Sequence, residues 1–574
     1  MNFKTETKNK IKSEKFTKEI KGHIEEYTLK LAFENKITPE TYSIIWEEDQ
    51  IDTHIFWSSK NGGQRNITPD WWMRREDSRT ASGMPLISLL SRGDINRMTI
   101  ALSDTNTPTA LSVGVVEETG RLQIRIDLFS VRCAPIDSYE IIIRIDRRSI
   151  PFCQCVKDVR KWWSDLGYEC ATVPENAKLP MYSTWYSFHQ HTIPSEIIEE
   201  CKTAKEYGMD TVIVDDGWQT DDNSRGYAFC GDWQVCENKI PDMKRFVDEI
   251  HKLGMKFMIW FSVPFMGYES KNYKKFEGMY LRTRDHMKAK VLDPRFKEVR
   301  NFLTDIYASS VEKYGWDGLK LDFIDSFMLE DCSSTDYDRM DTVSLEDGLQ
   351  KLLCEAMDRL KAINPDIMIE FRQSYVGPAI SKYGNIFRVG DCPNDPVNNR
   401  LGTLDLRLTS GNTVVHSDMI MWNKNDSNEG VMHQLLAVVF AVPQISVRFE
   451  NITYDHKKLL FAYLDFWRSK RDIILDGEFS ACGVESNYTM AQSIKDGHCV
   501  AVLYEKVVKS VSEKCEHIFN STASDGIYVE LDCDMEYTVY DIFGRPRVSG
   551  IAQRGVCRLD VMSCERVSLQ KIDE

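Results

Sequence analysis

The sequence predicts a multidomain protein with a central (β/α)8 TIM barrel between two β domains, and three observations support this prediction. The chain has 574 residues, which is more than one hydrophobic core accommodates. Between about residues 180 and 450, short apolar segments alternate with amphipathic segments, which indicates parallel βα units. On either side, alternating polarity and turn residues indicate strands. We expect an N-terminal β-sandwich domain (1–177), a (β/α)8 barrel (178–473) and a small C-terminal antiparallel β-sandwich domain (474–574).

The N-terminal region has the composition of a β-sandwich. Residues 121–127 and 138–146 alternate in polarity or are rich in β-branched residues, as strands are. Turn residues interrupt the region at 61–63 and 104–108. The first 20 residues are rich in lysine, and the sequence leaves a helix and a frayed arm as alternatives there.

Eight apolar segments of the middle region are predicted as barrel strands, with helices between several of them. The strands are Met181–Phe188, Asp210–Gly217, Met255–Phe261, Gly318–Ile324, Ile367–Arg372, Ile386–Asp391, Val414–Met419 and Ile445–Glu450. The helices are Ser195–Tyr207, Asp242–Leu253, Lys297–Tyr314, Leu345–Ile363, Met432–Ala441 and, closing the barrel, Lys457–Lys470. A doubly wound open sheet is the alternative, but the glycine-rich turn that usually follows its first strand is missing.

The C-terminal region returns to strand-like segments, for example Val500–Tyr504 and Tyr537–Tyr540. A small sandwich of about 100 residues fits this stretch.

The net charge and the cysteines indicate which binding partners and which cellular compartment to expect. The formal net charge of −16 disfavours nucleic acid and anionic membranes as partners. No apolar stretch near the N-terminus resembles a signal peptide, and no run has the length of a membrane span. The 16 cysteines are scattered without a CxxC pair, and Cys153 and Cys155 alone lack the further ligands of a zinc site. We therefore expect free thiols and a cytoplasmic protein.

Polar and aromatic side chains stand where the predicted barrel strands end, and the active site of a (β/α)8 enzyme lies at that edge. Carboxylates that bind hydroxyl groups and indoles that stack on a sugar ring suit a hexose, and a pair of carboxylates supplies glycoside hydrolysis. The residues at the strand ends are Trp185, His189, His191, Asp215, Asp216, Trp218, Trp260, Lys320, Asp322, Asp325, Glu370, Arg372, Arg388, Asp391, His416, Asp418, Trp422, Arg448 and Glu450.

Asp322 has the clearest functional signal, because an unpaired charge inside an apolar strand is costly. Alternation places Lys320 on the same face, so the two can pair, and a purely structural ion pair is the alternative to a functional role. Asp215 and Asp325 have the alternative of capping a following helix. Trp185 and Trp260 have the alternative of filling the barrel core.

The His189–His191 pair is also what a barrel metallohydrolase would use. Such a site needs further ligands on later strands, and the strands in question end in Arg372 and Arg388, which cannot ligate a metal. Contact with substrate or loop packing is the better interpretation of the two histidines.

Taken together, five segments resemble motifs of glycoside hydrolase family 36, the α-galactosidase and raffinose-synthase group. They are Asp215–Trp218 (DDGW), Leu292–Arg300, Gly315–Phe323, Arg388–Pro396 and His416–Trp422. The resemblance covers about residues 180–450 and implies the same order of β-sandwich, barrel and C-terminal β domain. This chain departs from the family at Gly390, at Cys392 and in the segment after strand five, which lacks the usual glycine-rich pattern.

The resemblance implies a retaining α-glycosidase, and an α-galactosidase before other members of the group. Asp322 would be the nucleophile and Asp391 the general acid/base, about 5–5.5 Å apart. We expect Lys320 and Arg388 to keep the pKa of Asp322 low, and Asp391 to lie in a less cationic or more desolvated place. No metal or organic cofactor is implied, and a homo-oligomer fits the family. The implied substrate-binding residues are Trp185, Asp215, Asp216, Trp260, Lys320, Arg372 and Arg388.

Four alternatives stay open at this point. A transglycosidase of the raffinose-synthase kind would keep the chemistry and change the acceptor. An enzyme for another hexose, such as α-N-acetylgalactosamine or α-glucose, would keep the barrel. A catalytically silent sugar-binding protein and a metallohydrolase are the remaining two.

Overall fold

The N-terminal segment forms two facing antiparallel sheets. A computed structural model describes residues 3–60 and 62–572 of the chain. The strands are β1 (Lys4–Thr7), β2 (Ile11–Lys21), β3 (Ile24–Ile37), β4 (Tyr42–Asp49), β5 (Ile55–Trp57), β6 (Arg74–Ser78), β7 (Leu86–Leu90), β8 (Asn96–Leu102), β9 (Thr109–Val116), β10 (Arg121–Leu128) and β11 (Ile136–Asp146). One sheet has the order β1-β4-β10-β9-β6 and the other β2-β3-β11-β8-β7-β5. Alternate apolar residues, such as Leu29 and Leu31 of β3, fill the space between them.

The lysine-rich start is neither a helix nor a frayed arm over the residues described, since it contributes β1 and β2. β2 pairs antiparallel with β3 in a register that places Phe16 opposite Leu29. Nine of its eleven residues are exposed, and Ile11 and Phe16 are the two that are partly buried, so β2 is a charged strand at the edge of its sheet.

The middle region contains a parallel sheet of eight strands that closes into a barrel. Among the residues described, eleven strands lie in the middle region, eight of them in the barrel. They are β12 (Met181–Ser183), β13 (Thr211–Val214), β14 (Lys256–Ser262), β15 (Phe265–Gly267), β16 (Tyr280–Arg284), β17 (Ala289–Leu292), β18 (Gly318–Asp322), β19 (Met368–Arg372), β20 (Ile386–Arg388), β21 (Val414–His416) and β22 (Gln444–Ile445). The barrel order is β21-β20-β19-β18-β14-β13-β12-β22, and β15-β17-β16 form a separate small sheet. Parallel bridges from His416 to Val442 and from Ile420 to Ile445 complete the closure.

Helices connect these strands and cover the barrel. They are α1 (Phe152–Asp165), α2 (Trp185–Phe188), α3 (Pro194–Glu206), α4 (Met243–Lys252), α5 (Lys297–Tyr314), α6 (Leu345–Ile363), α7 (Pro396–Thr409), α8 (Asn428–Leu436), α9 (Tyr454–Ser469) and α10 (Arg471–Asp476). Side chains of Asp242, Ser344, Asp395, Ser427 and Thr453 accept backbone N–H bonds at the starts of α4, α6, α7, α8 and α9. None of the helices in the described part of the chain combines the length and apolar character that a membrane crossing requires.

The predicted barrel elements are present, and all of the strands except the third, β14, are shorter than predicted. The first strand ends at Ser183, because the following residues turn into α2. The last predicted strand contributes only Gln444 and Ile445. Apolar residues continue past the strand ends into buried βα loops, where hydrophobic periodicity cannot mark the end of a strand.

The C-terminal region forms a sheet of seven strands and another of three. The strands are β23 (Glu478–Cys482), β24 (Met490–Lys495), β25 (His498–Leu503), β26 (Val508–Val511), β27 (Cys515–Asn520), β28 (Ile527–Leu531), β29 (Met535–Tyr540), β30 (Pro546–Ala552), β31 (Gly555–Leu559) and β32 (Arg566–Lys571). Most pairs are antiparallel, while β25–β27 and β26–β28 are parallel. The domain boundaries at 177/178 and 473/474 stay a proposal, and α10 crosses the second.

Candidate active site

Six neighbouring barrel strands bring functional side chains to one edge of the sheet. Because all strands of the barrel are parallel, their carboxyl ends lie together and surround one mouth. The residues contributed there are Asp215 and Asp216 after β13, Trp260 in β14, Lys320 and Asp322 in β18, Glu370 and Arg372 in β19, Arg388 in β20 with Asp391 after it, and His416 in β21 with Asp418 after it.

The two carboxylate oxygens of Asp322 have different surroundings. Oδ1 accepts hydrogen bonds from the Phe323 backbone N–H (2.7 Å), from Arg372 Nε (2.6 Å) and from the Tyr375 hydroxyl (3.0 Å). Oδ2 accepts one hydrogen bond, from Trp260 Nε1 at 3.1 Å. Three donors fix Oδ1, whereas Oδ2 keeps a free lone pair with which it can react.

Asp322 is held as a carboxylate. Burial would raise its pKa, but the cations of Arg372 and Lys320, the Trp260 hydrogen bond and the more distant Arg388 outweigh burial. The pKa of Asp322 therefore lies well below its usual range. Lys320 and Arg388 act in the predicted direction, and Arg372, which the sequence assigned to a sugar hydroxyl, has the larger effect.

Lys320 pairs with Asp215, so the Lys320–Asp322 ion pair that alternation allows is not the one observed. Lys320 Nζ donates to Asp215 Oδ2 at 2.6 Å, and both side chains are buried. Strand alternation places Lys320 and Asp322 on one face, but it does not say which neighbouring strand supplies the nearest carboxylate. Asp215 is not a helix cap either, since the next helix, α4, is capped by Asp242.

Asp216 lies beside Asp215, and two side-chain amides hold its carboxyl group. Its oxygens accept from the side-chain amides of Gln190 and Gln219, each at 2.7 Å. Burial raises the pKa of Asp216 to about 6, although both amides oppose the change. Adjacent carboxylates that keep free lone pairs can accept hydrogen bonds from two hydroxyl groups of a ligand.

Arg388 binds Asp391 and two buried carboxylates. Its guanidinium is fully buried and donates to Glu370 Oε1 (3.1 Å), Asp418 Oδ1 (2.6 Å) and Asp391 Oδ1 (2.9 Å). The Asp391 side chain is 51% exposed, so its carboxyl group is accessible to solvent. In this arrangement Arg388 orients a carboxyl group and has no surface left for a sugar, contrary to the substrate contact predicted for it.

The expectation that Asp391 lies in a less cationic place is wrong. Burial raises the pKa of Asp391, but Arg388 and Lys320 lower it by more, and the net shift is downward. The charge of Asp322 acts in the opposite direction and raises the pKa of Asp391. The two carboxylates are therefore close enough to sense each other, and the charge on one regulates the proton affinity of the other.

The predicted aromatic residues take different positions. Trp260 is buried and binds Asp322, while Trp185 is partly exposed and stacks on His189 with ring centroids 4.0 Å apart. His191 Nδ1 lies 3.4 Å from the Asn223 amide. The two histidines thus contact different partners, and no group of three or more His, Cys, Asp or Glu within residues 3–60 and 62–572 is arranged to hold a metal ion.

A cavity of about 250 Å³ is lined in part by Asp391. The N-terminal sandwich contributes Ser59, Lys60 and Gly83 to its wall, and the loops after β19 and β20 contribute Gln373, Ser374 and Cys392. Backbone and side-chain hydrogen bonds hold the sandwich to the barrel here, from Gly83 N to Ser374 O (2.7 Å) and between Ser82 and Ser374 hydroxyls (2.9 Å). A molecule bound at Asp391 would therefore touch two structural units.

Sequence reasoning missed Tyr375 and the sandwich residues. Tyr375 gave a weak signal, since a tyrosine three residues after the end of a barrel strand needs a partner for its hydroxyl group when it is buried. Ser59 and Lys60 gave none, because their place depends on how two separate units pack together.

A comparison with known families and curated proteins finds similarity over the barrel. Residues 179–384 match the sequence model of the melibiase family. The α-galactosidase Mel36A of Lactobacillus acidophilus is 34% identical over 97 residues, which is 16% of this chain and 12% of that protein. The bifunctional α-galactosidase/sucrose kinase AgaSK of Mediterraneibacter gnavus is 26% identical over 199 residues, 33% of this chain and 20% of that protein. The matched part thus spans about an eighth to a fifth of these relatives.

Solved structures resemble nearly the whole chain. The α-galactosidase of Lactobacillus brevis has a TM-score of 0.65 at 14% identity and covers 96% of this chain and 78% of its own. A family 36 α-galactosidase AgaA variant of Geobacillus stearothermophilus, solved with raffinose, has a TM-score of 0.66 at 13% identity, covering 96% and 80%. This likeness confirms the predicted multidomain fold.

Proposed function

We propose that this chain is a member of glycoside hydrolase family 36, as its motifs predicted, and a retaining α-galactosidase that hydrolyses terminal α-D-galactosides; the melibiase-family match over residues 179–384 and the similarity to α-galactosidases support this. The observation that carries the proposal is the unequal environment of the Asp322 oxygens, together with a half-exposed carboxyl group on Asp391. A buried, ionised nucleophile and a second carboxyl group that reaches solvent are what double displacement requires.

In the first step, Asp322 Oδ2 attacks the anomeric carbon and forms a glycosyl ester. The bond to the leaving oxygen breaks, and that oxygen takes a proton from Asp391. We propose that the two carboxyl groups lie about 5–5.5 Å apart, too close for a water molecule to attack directly. Arg372 and Tyr375 hold Oδ1 in place while Oδ2 forms the new bond, and Oδ1 becomes the carbonyl oxygen of the ester.

The changing charge on Asp322 suits the two roles of Asp391. A bound sugar excludes water from the mouth, so burial and the Asp322 charge would raise the pKa of Asp391 and favour its acid form. Ester formation removes the Asp322 charge, and the Arg388 and Lys320 cations then favour the carboxylate. Asp391 in that form takes a proton from water, which attacks the anomeric carbon; the ester bond to Asp322 breaks, Asp322 leaves as a carboxylate and the α-anomer is released.

The sugar would bind among the residues that surround this pair. Asp215 and Asp216 would accept hydrogen bonds from the 4- and 6-hydroxyl groups, with Lys320 holding Asp215 in place. Trp185 and Trp260 would form walls, and the cavity beside Asp391 would receive the leaving group. A relative solved with raffinose supports an oligosaccharide as the substrate class. Arg388 would act as a positioning residue for Asp391.

We also propose a cytoplasmic enzyme without nucleic acid or membrane partners. All 16 cysteines are free thiols, which suits a reducing compartment, and the net charge is −16. The mechanism needs no metal, and sedimentation would decide between a monomer and a homo-oligomer.

A panel of aryl α-glycosides tests the proposed specificity and nucleophile together. Wild type should hydrolyse the α-galactoside faster than the α-glucoside and the α-N-acetylgalactosaminide, and Asp322→Gly should be inactive until azide restores turnover as the β-galactosyl azide. The control is Asp305→Ala, on the exposed face of α5. Preference for another sugar would refute the galactose assignment, undiminished hydrolysis by Asp322→Gly would refute the nucleophile, and exclusive transfer to a sugar acceptor would indicate a transglycosidase.

A further inference from the structure

A second cavity, of about 760 Å³, lies far from the barrel mouth. It is lined by residues of α1, by the end of α7 and the turn that follows, and by the connection between α10 and β23. Helix α7 begins next to the Asp391 loop and has 14 residues, so its end lies about 20 Å from the mouth. The cavity is thus separate from the candidate active site.

Two guanidinium groups in this cavity, those of Arg160 and Arg407, have no carboxylate partner among residues 3–60 and 62–572. Within the described ranges, the side-chain contacts of Arg160 are with the Cys170 sulfur (Nη2, 3.1 Å), while Arg407 donates to the carbonyl oxygens of Leu475 and Ile474, each at 3.0 Å. The Nε atoms of both arginines are buried without any hydrogen-bond partner in that same part of the chain.

These two cations are poorly compensated. Burial lowers the pKa of Arg160, with only Cys170 acting against it, and burial lowers the pKa of Arg407 to about 10, with only Asp476 acting against it. A buried charge without a counter-ion is unfavourable, and an anion that binds between two such groups would remove much of that cost.

The rest of the wall has an excess of positive charge. Three lysines line the cavity in addition to the two arginines, and its acidic lining residues are Asp476 and Glu478. Lys157 pairs with Glu478 and Lys178 with Asp476, so both lining carboxylates already bind lysines at the rim. Five basic and two acidic residues give this lining a formal charge of +3, in a chain whose net charge is −16.

We propose that this cavity is a binding site for the phosphate group of a small metabolite, with Arg160 and Arg407 as its ligands. The planar guanidinium group presents paired N–H donors that match phosphate oxygens, which a lysine does not. The volume lies within the range of about 300–1,000 Å³ that small-molecule sites occupy and exceeds what a single phosphate ion fills. A phosphorylated sugar would fit, and inorganic phosphate would use the same two arginines.

Titration of the full-length protein tests this site without any activity assay. Isothermal calorimetry and thermal unfolding would be followed with inorganic phosphate, with glucose 6-phosphate and with glucose, against sodium chloride at equal ionic strength. Both phosphate ligands should bind saturably and raise the Tm, whereas glucose and chloride should not. Tighter binding of the sugar phosphate would identify a metabolite site, and equal binding would identify phosphate itself as the ligand.

Matched variants locate the binding. Arg160→Gln should weaken phosphate binding about 10- to 100-fold, the loss of a charged hydrogen-bonded pair, and Arg407→Gln should weaken it similarly. Arg359→Gln, an exposed cation on α6 that pairs with Asp305, should bind as wild type does. Arg407 also binds the end of α10, so the Tm of Arg407→Gln is measured without ligand to check that this variant folds. If Arg407→Gln is unfolded, the affinity of Arg160→Gln alone decides the test. Absence of saturable binding by wild type, an equal shift with chloride, or unchanged affinity of Arg160→Gln would overturn the proposal.

Discussion

Replacing Asp391 by alanine should separate the chemical role of this residue from any structural one. The side chain is 51% exposed and has one ion pair, with Arg388. When it is removed, Arg388 keeps Glu370 and Asp418 as partners, so no buried charge loses its last counter-ion. Because the Asp391 carboxyl group is half-exposed and Arg388 keeps two other carboxylate partners, we expect the free energy of unfolding to change by about 1 kcal/mol or less.

The effect on catalysis should depend on the leaving group. A positioned general acid contributes about 10²–10⁴-fold, or about 2.7–5.5 kcal/mol of barrier, when the leaving oxygen needs a proton. An alkyl galactoside needs this proton and should lose about that factor in kcat/KM. A dinitrophenyl galactoside leaves as a stable anion, so its kcat/KM should fall by about tenfold or less.

The assay compares both substrates with wild type and Asp391→Ala, with the Tm of each protein as the control for folding. Azide should accelerate the variant on the activated substrate and give the α-galactosyl azide, because a small anion needs no general base to attack the ester. Equal losses on both substrates would show that Asp391 serves in binding or folding. No loss on either would remove it from the mechanism.

Three further changes follow from the same contacts. Tyr375→Phe removes one hydrogen bond from Asp322 Oδ1 and should lower kcat about 10- to 100-fold with little change in Tm, whereas an unchanged kcat would show that this bond does not position Asp322. Asp405→Asn leaves Arg65 buried without its bidentate partner and should lower the free energy of unfolding by about 3–5 kcal/mol in urea; a loss below about 1 kcal/mol would contradict this. Glu76 is buried without a hydrogen-bond partner among the described residues, and burial raises its pKa from 4.5 to about 8, so it should reduce stability as pH rises through that interval. Glu76→Gln should remove that decline, worth on the order of 3–5 kcal/mol, and an unaltered pH profile of unfolding would refute the assignment.

The order of elements could be predicted from sequence, because the hydrophobic pattern of strands and helices is local. Helices α5 and α6 have the predicted bounds, Lys297–Tyr314 and Leu345–Ile363, since each ends where amphipathic periodicity ends. Strand ends were less predictable, because the mixture of aromatic and hydroxyl-bearing residues after Ser183 is compatible with a longer strand and with a short helix.

The residues of the site could be predicted more fully than their partners. Asp322 and Lys320 share a strand face, but pairing depends on the neighbouring strand, which supplies Asp215 to Lys320. Arg372 was placed at the mouth, while its ion pair with Asp322 depends on side-chain reach between adjacent strands. Lys60 at the leaving-group cavity follows from packing between two units, for which a single sequence carries no periodic signal.

Proton NMR of the first sugar released from an aryl α-galactoside tests the central claim most directly. If Asp322 attacks the anomeric carbon and Asp391 then activates water, two inversions occur and the α-anomer must appear first, with the β-anomer following only by mutarotation. Initial release of the β-anomer would mean that water attacks directly between more widely spaced carboxyl groups, and the roles given to Asp322 and Asp391 would be wrong.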